Sequence, residues 1–168
     1  MILPSRELMP VICAALERGQ QVRLTATGSS MQPFLFDGDV IALEACPWPK
    51  VGDIVLVRGA TGRLVLHRVA RRVDDAFYVV GDAQREQEGP FGRRALLGRA
   101  VLVFREERAI RLDRGVPWLA GRIWMRSGSR GRVALLWAAR VRALGRRLVR
   151  RISLKNAKGA TSEGDRCP

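Results

Sequence analysis

The sequence is poor in the residues that build disulfide and metal sites. It contains three cysteines and one histidine in 168 residues, and the cysteines have neither CxxC nor Cys/His spacing. This pattern argues against a disulfide framework or a zinc site, so we expect free thiols, no metal and no cofactor. Lysine is also rare, because Lys50, Lys155 and Lys158 are the only lysines among 30 basic residues. Few side chains are therefore available as a lysine base.

Long apolar runs are missing as well. A membrane-spanning helix needs about 20 apolar residues, and the best candidates, residues 8–16 and 133–139, are much shorter. Arg6, Glu7 and Pro10 interrupt the start of the chain, where a signal peptide would build its apolar core. We therefore expect a cytoplasmic protein without a transmembrane anchor, either free or peripheral on the inner face of the membrane.

Acidic residues become scarce towards the end of the chain. Residues 1–110 contain 15 basic and 13 acidic side chains, whereas residues 111–168 contain 15 basic and 3 acidic ones. The first part has the charge balance of an ordinary soluble domain. The second part favours an anionic partner such as a membrane or a nucleic acid. Apolar residues make up 47% of the chain, which excludes global disorder.

Short alternating segments with turn residues between them occupy residues 21–110. Strands are predicted at residues 21–27, 40–43, 54–58, 64–71, 77–80, 96–104 and 109–112, with a polar loop at residues 81–94. A short helix over residues 5–18, within an N-terminal segment 1–20, precedes them. This pattern predicts a mainly β domain, closed or folded over.

The segment 111–152 is predicted to be a basic helical extension, followed by a disordered tail at residues 153–168. Residues 114–126 form a shorter predicted helix. Residues 133–152 form an amphipathic one with an apolar stripe and many arginines. Such a helix is typical of a membrane interface, although its apolar face also suits packing on the β domain. Nucleic acid is the least favoured partner, since no helix-turn-helix precedes the β domain.

One serine lies in a turn between two predicted strands. Gly28 and Ser29 precede Ser30. A serine in such a turn presents its hydroxyl and its backbone N–H to the same point, one as a nucleophile and the other as an oxyanion donor. The alternative is that Ser30 only forms the turn.

Two further residues complete a possible catalytic set. His67, the single histidine, lies in the middle of the predicted strand 64–71, and its imidazole suits a general base for Ser30 near neutral pH. Asp82 follows the predicted strand 77–80 and suits the orienting group of a triad. The alternatives are a strand histidine bonded to the backbone and an aspartate that shapes a turn.

The order of these motifs resembles the type I signal peptidases and their relatives, the self-cleaving LexA-type repressors, over about residues 22–104. Gly28, Ser30 and Pro33 match the nucleophile box, and His67 stands before Arg-Val, where the bacterial enzymes carry a lysine base. Histidine at this place is the pattern of the reticulum, archaeal and some Gram-positive signal peptidases. The resemblance implies a signal-peptidase/LexA-like β fold of the S24/S26 type.

The resemblance also implies roles for individual residues. Ser30 would be the nucleophile, His67 the base and Asp82 a supporting acid, with Gly28, Ser29 and Ser30 forming the oxyanion turn. The substrate groove would be formed by Met31, Pro33, Phe34 and Leu35.

Together with these residues, the resemblance implies a serine endopeptidase that processes a signal- or leader-peptide-like precursor through an acyl-enzyme. The alternative is a non-catalytic peptide-binding module derived from the peptidase fold and tethered to a membrane by its basic helix. The expected partners are a peptide or precursor-protein substrate and an anionic membrane surface, which residues 132–152 would contact.

Overall fold

A computed structural model describes residues 9–59, 61–105 and 108–126. Within these residues, one antiparallel sheet of eight strands is preceded by one α-helix and followed by another. The fold is mainly β, as predicted. The strands are β1 Val22–Thr25, β2 Val40–Glu44, β3 Ile54–Arg58, β4 Leu64–Val73, β5 Ala76–Val80, β6 Gln87–Phe91, β7 Leu96–Arg105 and β8 Arg108–Arg111.

The long strand β7 organises the sheet, whose order is β1-β2-β7-β3-β4-β5-β6 with β8 also paired to β7. Residues 96–99 of β7 pair with β3, and residues 99–104 pair with β2. The turn that carries Ser30 lies between β1 and β2, and His67 lies in β4, the hairpin partner of β3. One continuous strand therefore links the two halves of the sheet that carry these residues.

The core packs against both faces of β3 and β4. Ile54 and Leu56 belong to one buried cluster, whereas Val55 and Val57 belong to another. Because successive side chains of a strand point to opposite faces, this division shows that both faces of β3 are covered. The same alternation applies to β4, where His67 is buried between apolar neighbours. A strand packed on both faces has little freedom to move, which fixes the position of the histidine.

The two helices pack against the sheet by small apolar faces. Helix α1, Met9–Glu17, buries Ile12 and Leu16 in the core and is followed by Gly19, whose positive φ of 73° suits a helix end. Helix α2, Gly115–Arg126, confirms the predicted shorter helix and buries Trp124. Helix α2 is part of the same compact unit as the sheet.

The predicted loop at residues 81–94 is wrong in part, because β6 forms within it and pairs with β5. Four of the five β6 residues are exposed. Backbone hydrogen bonds hold this edge strand in place. Because its side chains are exposed, its sequence has almost none of the alternating apolar residues by which a strand is predicted.

Several predicted segments lie outside the described residues: residues 5–8 of the first helix, the basic helix 133–152 and the tail 153–168. No helix in the described part of the chain is long and apolar enough to span a membrane. Cys13 and Cys46 are free thiols.

Candidate active site

Ser30 and His67 meet across the sheet. The Ser30 Oγ lies 3.1 Å from the His67 Nε2, within hydrogen-bonding distance. The pair is 37 residues apart in sequence, and it is brought together because the serine turn and the β3–β4 hairpin are both attached to β7. This is the distance and the pair of atoms that a base needs to take the proton of a nucleophilic hydroxyl.

The turn that presents Ser30 is held from both sides. Gly28 has a φ of 96°, which favours glycine, and its backbone N–H donates to the Asp37 Oδ1 at 2.8 Å. Met31 and Leu35 follow the serine and are fully buried in the core. The predicted substrate groove is therefore wrong at these two positions, because their apolar side chains anchor the turn from beneath.

The segment after β5 closes against the serine turn. The Ala83 N–H donates to the Ser30 carbonyl oxygen at 2.8 Å. A Cβ on Gly81 would lie 2.7 Å from that carbonyl oxygen and 2.5 Å from the Gln84 Oε1. Glycine at position 81 thus permits the close approach that fixes the Ser30 backbone.

Asp82 is bound by an arginine. The Arg68 Nε donates to the Asp82 Oδ1 and the Arg68 Nη2 to Oδ2, both at 2.7 Å. Arg68 also donates to the Gly52 carbonyl at 2.8 Å, and the Trp124 indole donates to the Asp82 carbonyl at 2.9 Å. These contacts give Asp82 a structural role, and its role as a supporting acid stays a prediction. Its carboxylate ties β4 to the segment that closes on Ser30.

The carboxylate beside the imidazole belongs instead to Glu88 of β6. Its Oε1 lies 3.0 Å from the His67 Nδ1, although out of line for a hydrogen bond. Glu88 is 44% exposed, so water screens its charge. Burial of the ring prevails and lowers the pKa of His67 to about 4. The imidazole is consequently neutral at pH 7 and able to accept a proton.

A cleft of about 550 Å³ opens in front of the pair. Gly28, Ser29 and Ser30, the predicted oxyanion turn, are among the residues that line it. The other described lining residues are Thr27, Gly59, Thr61, Arg63, Val65, His67, Gln84 and Glu88.

Pro33 and Phe34, the two remaining groove residues predicted from the sequence, are absent from the described lining of this cleft. The Phe34 ring packs edge-on against Trp124 with 5.8 Å between ring centroids. It also lies under the Arg68 guanidinium, whose carbon is 4.9 Å from the ring centroid. These contacts assign Phe34 to the packing around the Arg68–Asp82 pair.

Lys50 does not contribute to the cleft. It is exposed in the turn before β3, where its backbone N–H donates to the Asp53 Oδ2 at 2.9 Å. Within the described residues, no group of three potential ligands is placed to hold a metal ion.

Residues 4–87, half of the chain, match the family described as Peptidase S24-like. The chain belongs to the Peptidase S24-like family. The matched segment contains Ser30, His67 and Asp82, and it ends one residue before Glu88. A search of the curated proteins gave no match.

The sequence motifs point to the serine and the histidine but not to the groups around them. Glu88 lies in the polar segment that was predicted as a loop, and only its strand pairing brings it to the ring. Arg68 follows His67 directly, so strand alternation points it to the opposite face of β4. A buried arginine requires a carboxylate partner, and that requirement is the one signal that would have assigned Asp82 to it.

Proposed function

We propose that this S24-like protein is a serine endopeptidase with Ser30 as its nucleophile and His67 as its general base. The observation that supports the proposal most directly is the 3.1 Å contact between the Ser30 Oγ and the His67 Nε2 at the cleft wall. The low pKa of His67, about 4, keeps the base unprotonated over the physiological range.

The reaction follows from these atoms. The Ser30 Oγ attacks the scissile carbonyl carbon while Nε2 of His67 takes the hydroxyl proton. The backbone N–H of Ser30 stabilises the oxyanion. His67 then gives the proton to the leaving amine, which leaves an ester between Ser30 and the substrate acyl group. Water hydrolyses the ester, with His67 acting as the base again, and regenerates the free serine.

The substrate in this proposal is an extended segment of a signal- or leader-peptide-like precursor. The cleft runs from the serine turn to the tip of the β3–β4 hairpin, where Gly59, Thr61 and Arg63 line it. A length of extended chain fits this shape better than a compact side chain does. Most of the described lining residues are small, which favours small residues next to the cut.

The test uses mixtures of internally quenched peptides, each mixture fixed at one position. The wild-type protein is compared with Ser30→Ala, His67→Gln and Thr25→Ala, the last of which removes an exposed hydroxyl from β1, outside the cleft lining. We expect hydrolysis by the wild type and by Thr25→Ala, and none above background by the other two. Peptides that bind without being cut would instead identify a non-catalytic peptide-binding module.

A second proposal concerns the cationic part of the chain. We infer that it brings the protein to an anionic membrane surface on the cytoplasmic side. Val116, Leu119 and Ile123 of α2 are 80%, 53% and 54% exposed and lie on one face of the helix. Residues 114–152 contain 11 basic and no acidic side chains. An apolar helix face within a cationic segment suits the interface of an anionic bilayer, which is also the surface expected for the predicted amphipathic helix at residues 133–152.

A further inference from the structure

The second ring nitrogen of His67 has an unusual environment. Its Nδ1 is buried and has no hydrogen-bond partner among the described residues, whereas buried polar atoms are nearly always paired. The Glu88 Oε1 lies 3.0 Å away. Because Glu88 is 44% exposed, its carboxylate has room for the small rotation that would align it with the Nδ1–H bond.

We infer that Glu88 is the positioning residue of this site, holding the proton on Nδ1 of His67 and stabilising the imidazolium that forms when Ser30 is deprotonated. The inference rests on the proposed peptidase function for its chemical role. A carboxylate accepts hydrogen bonds and cannot donate them when ionised, so it selects the tautomer with the proton on Nδ1. That tautomer leaves Nε2 free to accept the proton of the Ser30 Oγ.

The charges around the ring support this assignment. Among the described residues that line the cleft, Arg63 and Glu88 carry full charges. Arg68 points to the opposite face of β4 and is occupied by Asp82. The Glu88 carboxylate lies 3.0 Å from the ring. It therefore provides the negative charge that an imidazolium at position 67 would meet.

Because Glu88 is exposed, its interaction with His67 should become stronger when a substrate occupies the cleft. Glu88 lines the same cleft as Ser30 and His67, so a peptide lying in the cleft displaces water from its carboxylate. The attraction between two charges rises as the local dielectric constant falls. Glu88 should consequently act mainly on the chemical step in the bound complex, and its loss should lower kcat while leaving KM nearly unchanged.

The first arm of the test is spectroscopic. His67 is the only histidine in the chain, so a tag-free, ¹⁵N-labelled sample gives one pair of imidazole nitrogen signals that report the tautomer. At pH 7 the ring is neutral, because the pKa of His67 is about 4. We expect the Nδ1–H tautomer in the wild type, a clear loss of that tautomer in Glu88→Ala, and no change in Glu86→Ala. Glu86 is the matched control, an exposed glutamate two positions earlier.

The second arm is kinetic and uses the best peptide from the quenched mixtures. We expect Glu88→Ala to lower kcat by about 10- to 100-fold with KM within threefold, less than the loss of the buried aspartate of a complete triad. Glu86→Ala should keep the wild-type kcat. An unchanged tautomer or an unchanged kcat in Glu88→Ala would overturn the inference, and so would equal effects of both variants. Hydrolysis that survived Ser30→Ala would overturn the proposed function alone, and the tautomer would still decide whether Glu88 holds the Nδ1 proton.

Discussion

Arg68 binds both carboxylate oxygens of Asp82 at 2.7 Å, and both side chains are almost completely buried. The pair joins β4, next to His67, to the segment that closes on the Ser30 carbonyl. Gly121 of α2 packs directly on it, since a Cβ at that position would lie 2.5 Å from the Arg68 Nη1. The distance between Ser30 and His67 therefore depends on an ion pair that does not itself touch the reacting atoms.

Replacing Asp82 by alanine should destabilise the fold. The substitution leaves the Arg68 guanidinium buried without its partner, which typically costs about 3–5 kcal/mol. The matched control is Asp113→Ala, which removes a carboxylate from the more exposed Arg111–Asp113 pair and should lower the free energy of unfolding much less, because water screens exposed ion pairs. Urea unfolding measures both. If both variants lose the same small amount of unfolding free energy, the Arg68–Asp82 pair contributes no net stability.

Features of this site that depend on neighbouring residues can be predicted from the sequence, whereas those that depend on tertiary contacts cannot. Alternation predicts the strands, and the order of the motifs points to Ser30 and His67. The partners of these residues depend on tertiary pairing. Glu88 reaches the ring through an exposed edge strand with no apolar alternation. Met31 was expected in the substrate groove, but its apolar side chain gains more by burial in the core.

Ser30→Ala and His67→Gln should each abolish hydrolysis, and the double variant should be no worse than either single one. A nucleophile and its base act as one unit, so the effects of removing them are not additive. Single-turnover rates of the four proteins, with equal far-ultraviolet circular dichroism as the folding control, test this. Additive losses would mean that the two side chains work independently.

The activity should rise with pH through a midpoint near 4, the pKa that burial imposes on His67. The base works only when unprotonated, so kcat/KM should be nearly constant from about pH 5.5 to 8. A profile of kcat/KM measured from pH 3.5 to 9 tests this. An activity that keeps rising above pH 8 would contradict the assignment of His67 as the base.

Stability should depend on the same titration. The pKa of His67 in the folded protein, about 4, lies below the value of ~6.5 expected when the chain is unfolded. Protonation of His67 therefore favours the unfolded state. The contribution of the neutral imidazole to the free energy of unfolding is complete above pH 6.5 and is lost as the pH falls towards 4. The loss should be on the order of 3 kcal/mol. His67→Gln should show a smaller decline over this interval, and urea unfolding at pH 7.5 and 4.5 compares the two proteins.

Gly81→Ala should reduce activity strongly. The added Cβ would lie 2.7 Å from the Ser30 carbonyl oxygen, so the serine backbone must shift, and small displacements of reacting groups cost large factors in rate. We expect kcat/KM to fall at least tenfold. Gly92→Ala is the matched control, because a Cβ there meets nothing within 4 Å. Similar activity in both variants would show that the Ser30 turn tolerates movement.

Ile123→Glu should weaken binding of the full-length protein to anionic vesicles. Ile123 is 54% exposed on α2, so the substitution leaves the core intact but removes an apolar contact with lipid. Burying such a side chain contributes about 1.5–3 kcal/mol, which corresponds to at least a tenfold change in Kd. Sedimentation with vesicles of phosphatidylglycerol and phosphatidylcholine, compared with phosphatidylcholine alone, measures the effect.

The matched control for Ile123→Glu is Val73→Glu, the same kind of charge introduced at an exposed apolar residue of β4. It lowers the net charge equally and should leave vesicle binding nearly unchanged, which separates the apolar contact from the general attraction of charges. Binding of the wild type should also weaken with salt, since exposed charges are screened within about 8–10 Å at physiological ionic strength. If the wild type sediments equally with neutral and anionic vesicles, or if both variants bind like the wild type, α2 does not face an anionic bilayer.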